Sequence, residues 1–112
     1  MDCIFCEIIK GNIPSTIVYE DEFVTAFNDL NPVTPVHVLI VPKKHIVSAN
    51  DIVEEDAELI GRVFLAAQKI AAKLGLDNGY RIINNCGEDA GQTVKHLHFH
   101  MLGGTSLGEK LI

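Results

Sequence analysis

The sequence predicts an α+β domain built on an antiparallel sheet. Stretches with apolar/polar alternation follow one another along most of the chain, and one stretch between them changes to a period of 3.6 residues. Consecutive strands with a single inserted helix are typical of this class. We therefore expect a five-stranded antiparallel sheet, one long helix and a short N-terminal helix.

The first predicted element is the short N-terminal helix. It runs from Cys3 to Lys10, with Asp2 as its cap and Gly11 as its stop. Cys3 and Cys6 stand one turn apart on the same face, in C-x2-C spacing. Such a pair can be two small buried hydrophobic residues or half of a zinc site, and one pair alone is a weak indication of zinc.

Three strands and a rigid loop are predicted next. The strands are Ile17–Glu20, Phe23–Asn28 and Val36–Val41. Pro32 and Pro35 make the loop before the third strand rigid and rich in turns. Within that strand, His37 taken alone would be interpreted as a satisfied core histidine.

The long helix is predicted from about Glu54 to Leu74, with Gly75 just past its C-terminus. Its apolar residues recur at i, i+3, i+4 and i+7 spacing, which places them in one stripe. The stripe consists of Ile60, Val63, Phe64, Ala67, Ile70, Ala71 and Leu74. By default such a stripe is core, packed on the sheet.

The end of the chain carries the residues with the most chemistry. A fourth strand over Tyr80–Asn85, a glycine-rich loop over Cys86–Thr93 and a fifth strand within Gly91–Gly104 are predicted there. In the fifth strand His96, His98 and His100 alternate with Leu97, Phe99 and Met101, so the histidines share one face. Three of the chain's five histidines in one row indicate a function, because imidazole titrates near neutral pH.

Strand geometry limits what this row of histidines can do. Residues two apart are separated by roughly 6.8 Å, so one metal ion can be held by two neighbours but hardly by all three. Alternatively each ring has its own role along an extended ligand, and a neutral ring can attack phosphorus or carbon. Backbone N–H groups of the preceding loop could face an oxyanion such as a phosphate, although most glycine-rich loops are merely turns.

Composition bounds the remaining possibilities. The 112 residues are predicted to form one domain, residues 1–112, and a hydrophobic fraction of 47% is enough for a real core. A net charge of -6 argues against nucleic acid and membrane surfaces as partners. We find no bilayer-spanning run and no signal peptide, and three cysteines indicate a reducing compartment, so a cytoplasmic protein is expected.

A family resemblance adds to these observations. His96-Leu97-His98-Phe99-His100-Met101-Leu102 matches the histidine triad motif. The chain resembles the Hint branch of the histidine triad nucleotide-binding proteins along nearly its whole length. The matching segments are Ile4-Phe5, Phe27-Asn28-Asp29, Pro35-Val36-His37-Val38, Pro42-Lys43-Lys44-His45, Gly79-Tyr80-Arg81 and Leu102-Gly103-Gly104. The last of these favours the Hint branch over the dinucleotide-cleaving Fhit branch.

The resemblance implies a HIT-like, dimeric enzyme that hydrolyses purine nucleoside 5′-phosphoramidates, with nucleotides such as AMP or GMP as partners. His98 would attack the α-phosphate, expel an amine and form a nucleotidyl-histidine intermediate that water releases. His100 would contact the phosphate, His37 would lie beside the nucleophile, and Thr93 would lie near the leaving group. The long helix would lie at the two-fold interface of a homodimer, whereas a monomer would use its stripe entirely against its own sheet.

The resemblance also implies a nucleotide-binding set. Ile4, Phe5, Phe27 and Leu30 would enclose the base, although from the residues alone they would be core. Asp29 would accept hydrogen bonds from the ribose hydroxyls. Asn85 and Gln92 would line the phosphate end, and Asn28 and Gly91 belong to the same set.

A structural Zn²⁺ is a further implication. Some bacterial histidine triad proteins and a related uridylyltransferase family bind zinc through a set that matches Cys3, Cys6, His45 and His96. Four protein ligands would pin the N-terminal helix to the sheet rather than activate water. His96 would then be structural, and Cys86 is expected to be an inert buried thiol.

Two other functions remain open from the sequence. A metal-dependent hydrolase could use two triad histidines as ligands, and a non-catalytic nucleotide-binding adaptor could use the same fold. The chain also departs from many Hint-branch chains, whose Trp-Pro-Pro-Gly-like tail shapes the leaving-group side. It ends Gly108-Glu109-Lys110-Leu111-Ile112 and contains no tryptophan.

Overall fold

The computed structural model describes residues 3–112, and its elements follow the predicted order. They are α1 (Ile4–Ile9), β1 (Ile17–Glu20), β2 (Val24–Asn28), β3 (Val36–Pro42), α2 (Ala57–Leu74), β4 (Arg81–Ile83) and β5 (Phe99–Gly103), with short 3-10 turns at Ala49–Asp51, Glu54–Asp56 and Glu88–Ala90. The strands form one five-stranded antiparallel sheet in the order β1-β2-β3-β5-β4. The predicted α+β fold is confirmed.

The helix starts differ from the prediction. α1 begins at Ile4 because Cys3 is its cap, with the Cys3 sulfur accepting the Cys6 N–H at 3.2 Å. Asp2, the predicted cap, lies outside the described residues. The predicted first turn of the long helix is a 3-10 turn, in which the Asp56 carboxylate accepts the Val53 N–H at 3.1 Å.

The histidine strand is shorter than predicted, because β5 begins only at Phe99. Just before it, side chains and the Ile46 carbonyl, which accepts the Leu97 N–H at 2.6 Å, satisfy the backbone in place of a neighbouring strand. The His96 carbonyl oxygen contacts His98 Nδ1 at 2.7 Å, and the Asn84 amide donates to the His98 carbonyl at 2.9 Å. The alternation itself holds, since Leu97 is buried on the side opposite the histidines.

One face of the sheet, called the helical face below, packs against α2 and forms the main core. Its buried residues include Val24, Ala26, Val38, Ile40, Met101, Val63, Ala67 and Ile70. The predicted stripe of α2 is too wide, because Phe64 is 47% and Leu74 37% exposed. Gly75 ends the helix in the left-handed conformation (φ 72°), as predicted. No helix within residues 3–112 is long and apolar enough to cross a bilayer.

The opposite face, called the histidine face, carries the triad side chains. Antiparallel pairing places Leu39 opposite His100 and His37 opposite Leu102, so these side chains lie on this face. A smaller apolar cluster of Phe5, Phe27, Leu39 and Val41 lies beside them. Phe5 comes from α1, so the N-terminal helix covers part of this face.

Candidate active site

His98 has one ring nitrogen free for chemistry. Its Nδ1 lies 2.7 Å from the His96 carbonyl oxygen. Because a carbonyl oxygen only accepts hydrogen bonds, Nδ1 carries the proton and the neutral ring keeps a lone pair on Nε2. The ring packs edge-on against Phe5, with 5.1 Å between centroids, and is 8% exposed. The ring is therefore held in one orientation, with Nε2 as the nitrogen left for a ligand.

Two hydrogen bonds connect the Val33 backbone to His100 through the His37 side chain on β3. The Val33 N–H donates to His37 Nδ1 at 3.1 Å, so the proton of neutral His37 lies on Nε2. That nitrogen is 2.9 Å from His100 Nδ1 and 3.4 Å from Asp29 Oδ2. His100 therefore accepts through Nδ1, and its neutral ring carries a proton on Nε2 that can be donated to a ligand oxygen.

Burial keeps His100 neutral. Desolvation lowers the pKa of His100 below its usual range, and the nearby His98 and His37 lower it further, while Asp29 acts in the opposite direction. Its centroid lies 5.2 Å from that of His98. The Nε2–H of His100 is therefore a hydrogen-bond donor close to the His98 ring, and it can contact a ligand oxygen there.

The same hydrogen bonds argue against the alternative that the triad histidines hold a catalytic metal. Asp29, His37 and His100 lie close enough together to hold an ion. His37 Nε2 carries a proton, however, because Nδ1 is the acceptor for Val33. A protonated nitrogen has no lone pair for a metal, so this geometry favours a hydrogen-bonded relay over a metal site.

The glycine-rich loop is held by Gln92. Its buried side chain accepts the Gly87 N–H at 3.0 Å and donates to the carbonyl oxygens of Val47 (2.7 Å) and Val94 (3.1 Å). Gly91 adopts a left-handed conformation (φ 79°), which a side chain would strain. The N–H groups of Gly87, Gly91 and Gln92 are donated within the loop, so a phosphate would have to use other donors of the loop.

The predicted base-binding residues differ in their surroundings. Phe5 and Phe27 are buried and in edge contact, with 5.5 Å between centroids. Ile4 is 48% and Leu30 90% exposed. The two phenylalanines thus form a wall that is present without ligand, whereas the two aliphatic residues are open to solvent.

The other predicted nucleotide and catalytic residues also differ in exposure. Asn28 is exposed at the end of β2, Asp29 is half-buried, Asn85 follows β4 and is half-buried, and Thr93 is exposed at the end of the loop. Asp29 is braced by the Asn31 N–H, which donates to Oδ1 at 2.8 Å. The carboxylate keeps Oδ2 for His37.

The second cluster brings together Cys3, Cys6, His45 and His96, whose donor atoms all lie within 4.8 Å of one another. Cys3 Sγ and His96 Nδ1 are 3.3 Å apart, Cys6 Sγ and His45 Nδ1 3.3 Å, and the two Nδ1 atoms 3.1 Å. Tetrahedral zinc with two sulfur and two nitrogen ligands separates its ligands by about 3.3–3.8 Å. The donor set and its spacing fit such an ion.

The protonation of this cluster also suits a metal. His96 Nε2 lies 2.8 Å from the Pro42 carbonyl oxygen, which fixes its proton there and directs the Nδ1 lone pair into the cluster. Burial, a hydrogen bond with Cys3 and the charge of Cys3 raise the pKa of the Cys6 thiol to about 11. Metal binding would displace that proton, so affinity should fall in acid. Cys86 is only half-buried, not buried as expected.

Sequence reasoning missed several supporting groups. Asn84 holds the His98 carbonyl, and the backbone of Val33 and Pro42 sets two histidine tautomers. Asn84 is a polar residue near the end of the predicted fourth strand, which was the available indication of its role. The two backbone contacts have no indication in the sequence, because every residue carries the same groups.

The fold and this site define a family. The HIT domain matches residues 10–107, and the chain belongs to the HIT domain family, which confirms the predicted resemblance. It is 45% identical over 111 residues to a purine nucleoside phosphoramidase of Escherichia coli strain K12, covering 98% of this chain and 93% of that protein.

Solved structures agree with this assignment. A HIT family hydrolase from Clostridium thermocellum has a TM-score of 0.96 at 53% identity, covering 99% of this chain and 97% of that one. A histidine triad protein from Clostridium difficile has a TM-score of 0.94 at 54% identity, covering 98% and 96%.

Proposed function

We propose that this protein is a nucleotide-binding hydrolase that cleaves purine nucleoside 5′-phosphoramidates through His98. The observation that carries the proposal is the hydrogen bond from His98 Nδ1 to the His96 carbonyl, because it leaves Nε2 unprotonated beside the neutral donor His100. The related phosphoramidase of Escherichia coli supports this substrate class.

The reaction proceeds in two displacements. His98 Nε2 attacks the α-phosphorus, the substrate's P–N bond breaks, and the leaving amine takes a proton from solvent. Water then attacks phosphorus, the bond from phosphorus to Nε2 breaks, and the nucleoside monophosphate leaves while the water's proton passes to solvent. His100 donates Nε2–H to a phosphate oxygen, and Asp29 and His37 hold its ring in the donating tautomer. Thr93 would lie near the leaving amine.

The remaining members of the nucleotide set shape the base and ribose side. The Phe5–Phe27 wall would pack on the purine, with Ile4 and Leu30 covering it. Asp29 would accept from the ribose hydroxyls, and Asn28, Asn85, Gly91 and Gln92 would surround the ribose and phosphate.

A structural Zn²⁺ on Cys3, Cys6, His45 and His96 is part of the proposal. The spacing and tautomers described above support it. When bound, the ion cross-links α1 to the histidine segment, and no chemical step uses it. The three cysteines within the described residues form no disulfide, which suits a reducing compartment and supports a cytoplasmic location.

A homodimer is also proposed. Phe64, Leu65, Leu74 and Tyr80 are each at least 37% exposed, and β4 is an edge strand. Exposed apolar residues of α2 and the unpaired edge of β4 are surfaces that a two-fold contact with a second copy would cover. Analytical ultracentrifugation at micromolar concentration tests this, and a monomer would contradict it.

The test of function is turnover of an adenosine 5′-phosphoramidate carrying a fluorogenic amine. His98→Asn should lower kcat by about 10⁴-fold or more while AMP binding persists. Free imidazole should partly rescue His98→Gly, because it can enter the vacated space as a nucleophile. Mass spectrometry of quenched wild type should detect a nucleotidyl adduct on His98.

Each alternative has its own outcome in the same experiment. AMP binding without turnover by wild type would establish the adaptor instead. Immediate loss of activity with chelator, while circular dichroism shows an intact fold, would establish a metal-dependent hydrolase. Full activity of His98→Asn would exclude covalent catalysis at this residue.

A further inference from the structure

The proposed nucleophile lies just before the part of β5 that pairs with its neighbours. Pairing of β3 with β5 stops at Ile40 and Phe99. Pairing of β4 with β5 stops at Ile83 and His100. Ladder hydrogen bonds fix the position of a strand residue, because they hold its backbone to the neighbouring strands. His98 precedes both ladders, so other contacts have to fix the position of its backbone.

Three hydrogen bonds hold the segment that precedes the ladder. The Leu97 N–H donates to the Ile46 carbonyl at 2.6 Å, and His98 Nδ1 donates to the His96 carbonyl at 2.7 Å. The third runs from the Asn84 side-chain amide to the His98 carbonyl at 2.9 Å. The first of these bonds acts on the residue before the nucleophile, and the second acts on its ring. Of the three, the Asn84 bond is the one that acts on the backbone of His98 itself.

The place of Asn84 in the chain suits it to this contact. It directly follows Ile83, the last residue of β4, and it is half-buried. Its amide carries the same kind of donor as a backbone N–H, so it supplies one more hydrogen bond to the histidine segment after the β4–β5 ladder has ended. The neighbouring Asn85 belongs to the nucleotide set that the family resemblance implies, whereas Asn84 does not. Asn84 therefore needs an explanation of its own.

We propose that Asn84 is a positioning residue for the first displacement. Its amide holds the peptide group that follows His98, and this fixes the place of Nε2 relative to the α-phosphorus and the His100 donor. The bond to the His96 carbonyl sets which nitrogen of His98 attacks, and the Asn84 bond sets where that nitrogen lies. Asn84 acts through His98 and forms no bond with the substrate. The inference rests on the proposed phosphoramidase function.

The test measures the rate of the first displacement separately from nucleotide binding. Enzyme in excess is mixed with the fluorogenic adenosine 5′-phosphoramidate in a stopped-flow instrument, so amine release reports attack on phosphorus in a single turnover. Isothermal titration calorimetry gives the Kd of AMP. Asn84→Leu keeps the approximate size of the side chain and removes the donor. Its amine release should be about 10- to 100-fold slower than in wild type, the cost of a small misplacement of a reacting atom, while the Kd of AMP stays within about threefold.

Two further changes at this position separate the donor from the shape of the side chain. Asn84→Asp has nearly the same shape, but its carboxylate at pH 8 can only accept hydrogen bonds, so amine release should be at least as slow as in Asn84→Leu. Asn84→Gln keeps the amide on a longer side chain and should recover part of the rate. Circular dichroism checks the fold of each variant, and Asn84→Asp decides the outcome if Asn84→Leu does not fold.

Two control variants exclude general effects of charge and of stability. Asn50→Asp adds the same charge at an exposed position of the 3-10 turn Ala49–Asp51 and should keep the wild-type rate. Ile70→Ala removes a buried side chain on the helical face and lowers stability. It should also keep the wild-type rate of amine release at temperatures where it stays folded.

The possible failures are distinguishable. If wild type releases no amine, the phosphoramidase function itself is wrong. If wild type releases amine and both Asn84→Leu and Asn84→Asp release it at the wild-type rate, the positioning proposal is overturned while the function stands. A weaker Kd of AMP with an unchanged rate would also overturn it, because Asn84 would then bind the nucleotide. Equal slowing in Ile70→Ala would overturn it as well, since the loss would then reflect stability and not the Asn84 donor.

Discussion

The two faces of the sheet use the same strands for different purposes. On the helical face, Val38, Ile40 and Met101 pack against α2 and carry no polar group. On the histidine face, His37, His96 and His98 are each at most 8% exposed, although polar residues in an alternating strand ordinarily face water. Burial of the polar side of the alternation therefore distinguishes the histidine face from an ordinary solvated face.

The test with the largest expected effect concerns the zinc ion proposed for the histidine face. Cys6→Ala should lose bound zinc and the stabilisation that the ion contributes, about 4 kcal/mol when free zinc is a thousandfold above Kd. Metal content is measured by mass spectrometry and stability by urea unfolding. Cys86→Ala is the matched control and should keep both. Equal zinc in both variants would contradict the assigned ligands.

The next test compares variants of two neighbouring residues whose side chains lie on opposite faces of the sheet. His100→Ala should lower kcat by about 10²–10³-fold, the usual cost of removing one preorganised donor. Met101→Leu conserves volume on the helical face and should change kcat less than about threefold. Steady-state turnover of the fluorogenic phosphoramidate measures both. Similar losses in the two variants would show that the strand as a whole, and not the His100 donor, matters.

A stability test addresses the helical face in turn. Ile70→Ala on α2 removes a fully buried side chain and should lower the free energy of unfolding by about 3 kcal/mol. KM should remain near the wild-type value at temperatures where the variant stays folded. Gln68→Ala, at an exposed position of the same helix, should change the free energy of unfolding by less than about 0.5 kcal/mol. A large change in KM for Ile70→Ala would mean that the two faces are coupled.

The smallest expected effect is the contribution of His100 to the pH dependence of the free energy of unfolding. Its pKa is lowered in the folded protein, mainly by burial, so below about pH 6.5 the unfolded chain binds a proton that the folded chain does not. Unfolding free energy should therefore fall as pH drops from 7.5 towards 5.5. His100→Asn should lessen this fall by under about 1 kcal/mol, since the ring is partly open to solvent. An unchanged slope would contradict the shifted pKa.

Most of the fold could be predicted from the sequence. Alternation and the 3.6-residue period depend on burial of apolar side chains, which also determines the structure, so the strands, α2 and its end at Gly75 were predicted. The width of the apolar stripe on α2 was not predicted correctly, because the pattern cannot show whether Phe64 packs fully on the sheet or lies partly exposed.

The arrangement within the site was less accessible. His37 and His100 are 63 residues apart, and only the pairing of β3 with β5 brings their nitrogens to 2.9 Å. The histidine segment lies outside the ladder before Phe99, where side chains and the Ile46 carbonyl satisfy its backbone, and alternation alone cannot indicate such a change. The resemblance supplied the residues, while the tautomers required the structure.

The hydrogen bond between His98 Nδ1 and the His96 carbonyl has a consequence for substitutions at position 96. The acceptor is a main-chain oxygen, which every amino acid possesses. The position of the proton on the proposed nucleophile therefore depends on the path of the backbone and not on the side chain at position 96. A substitution that removes the proposed zinc ligand there would leave the same His98 nitrogen without a proton wherever the segment keeps its course.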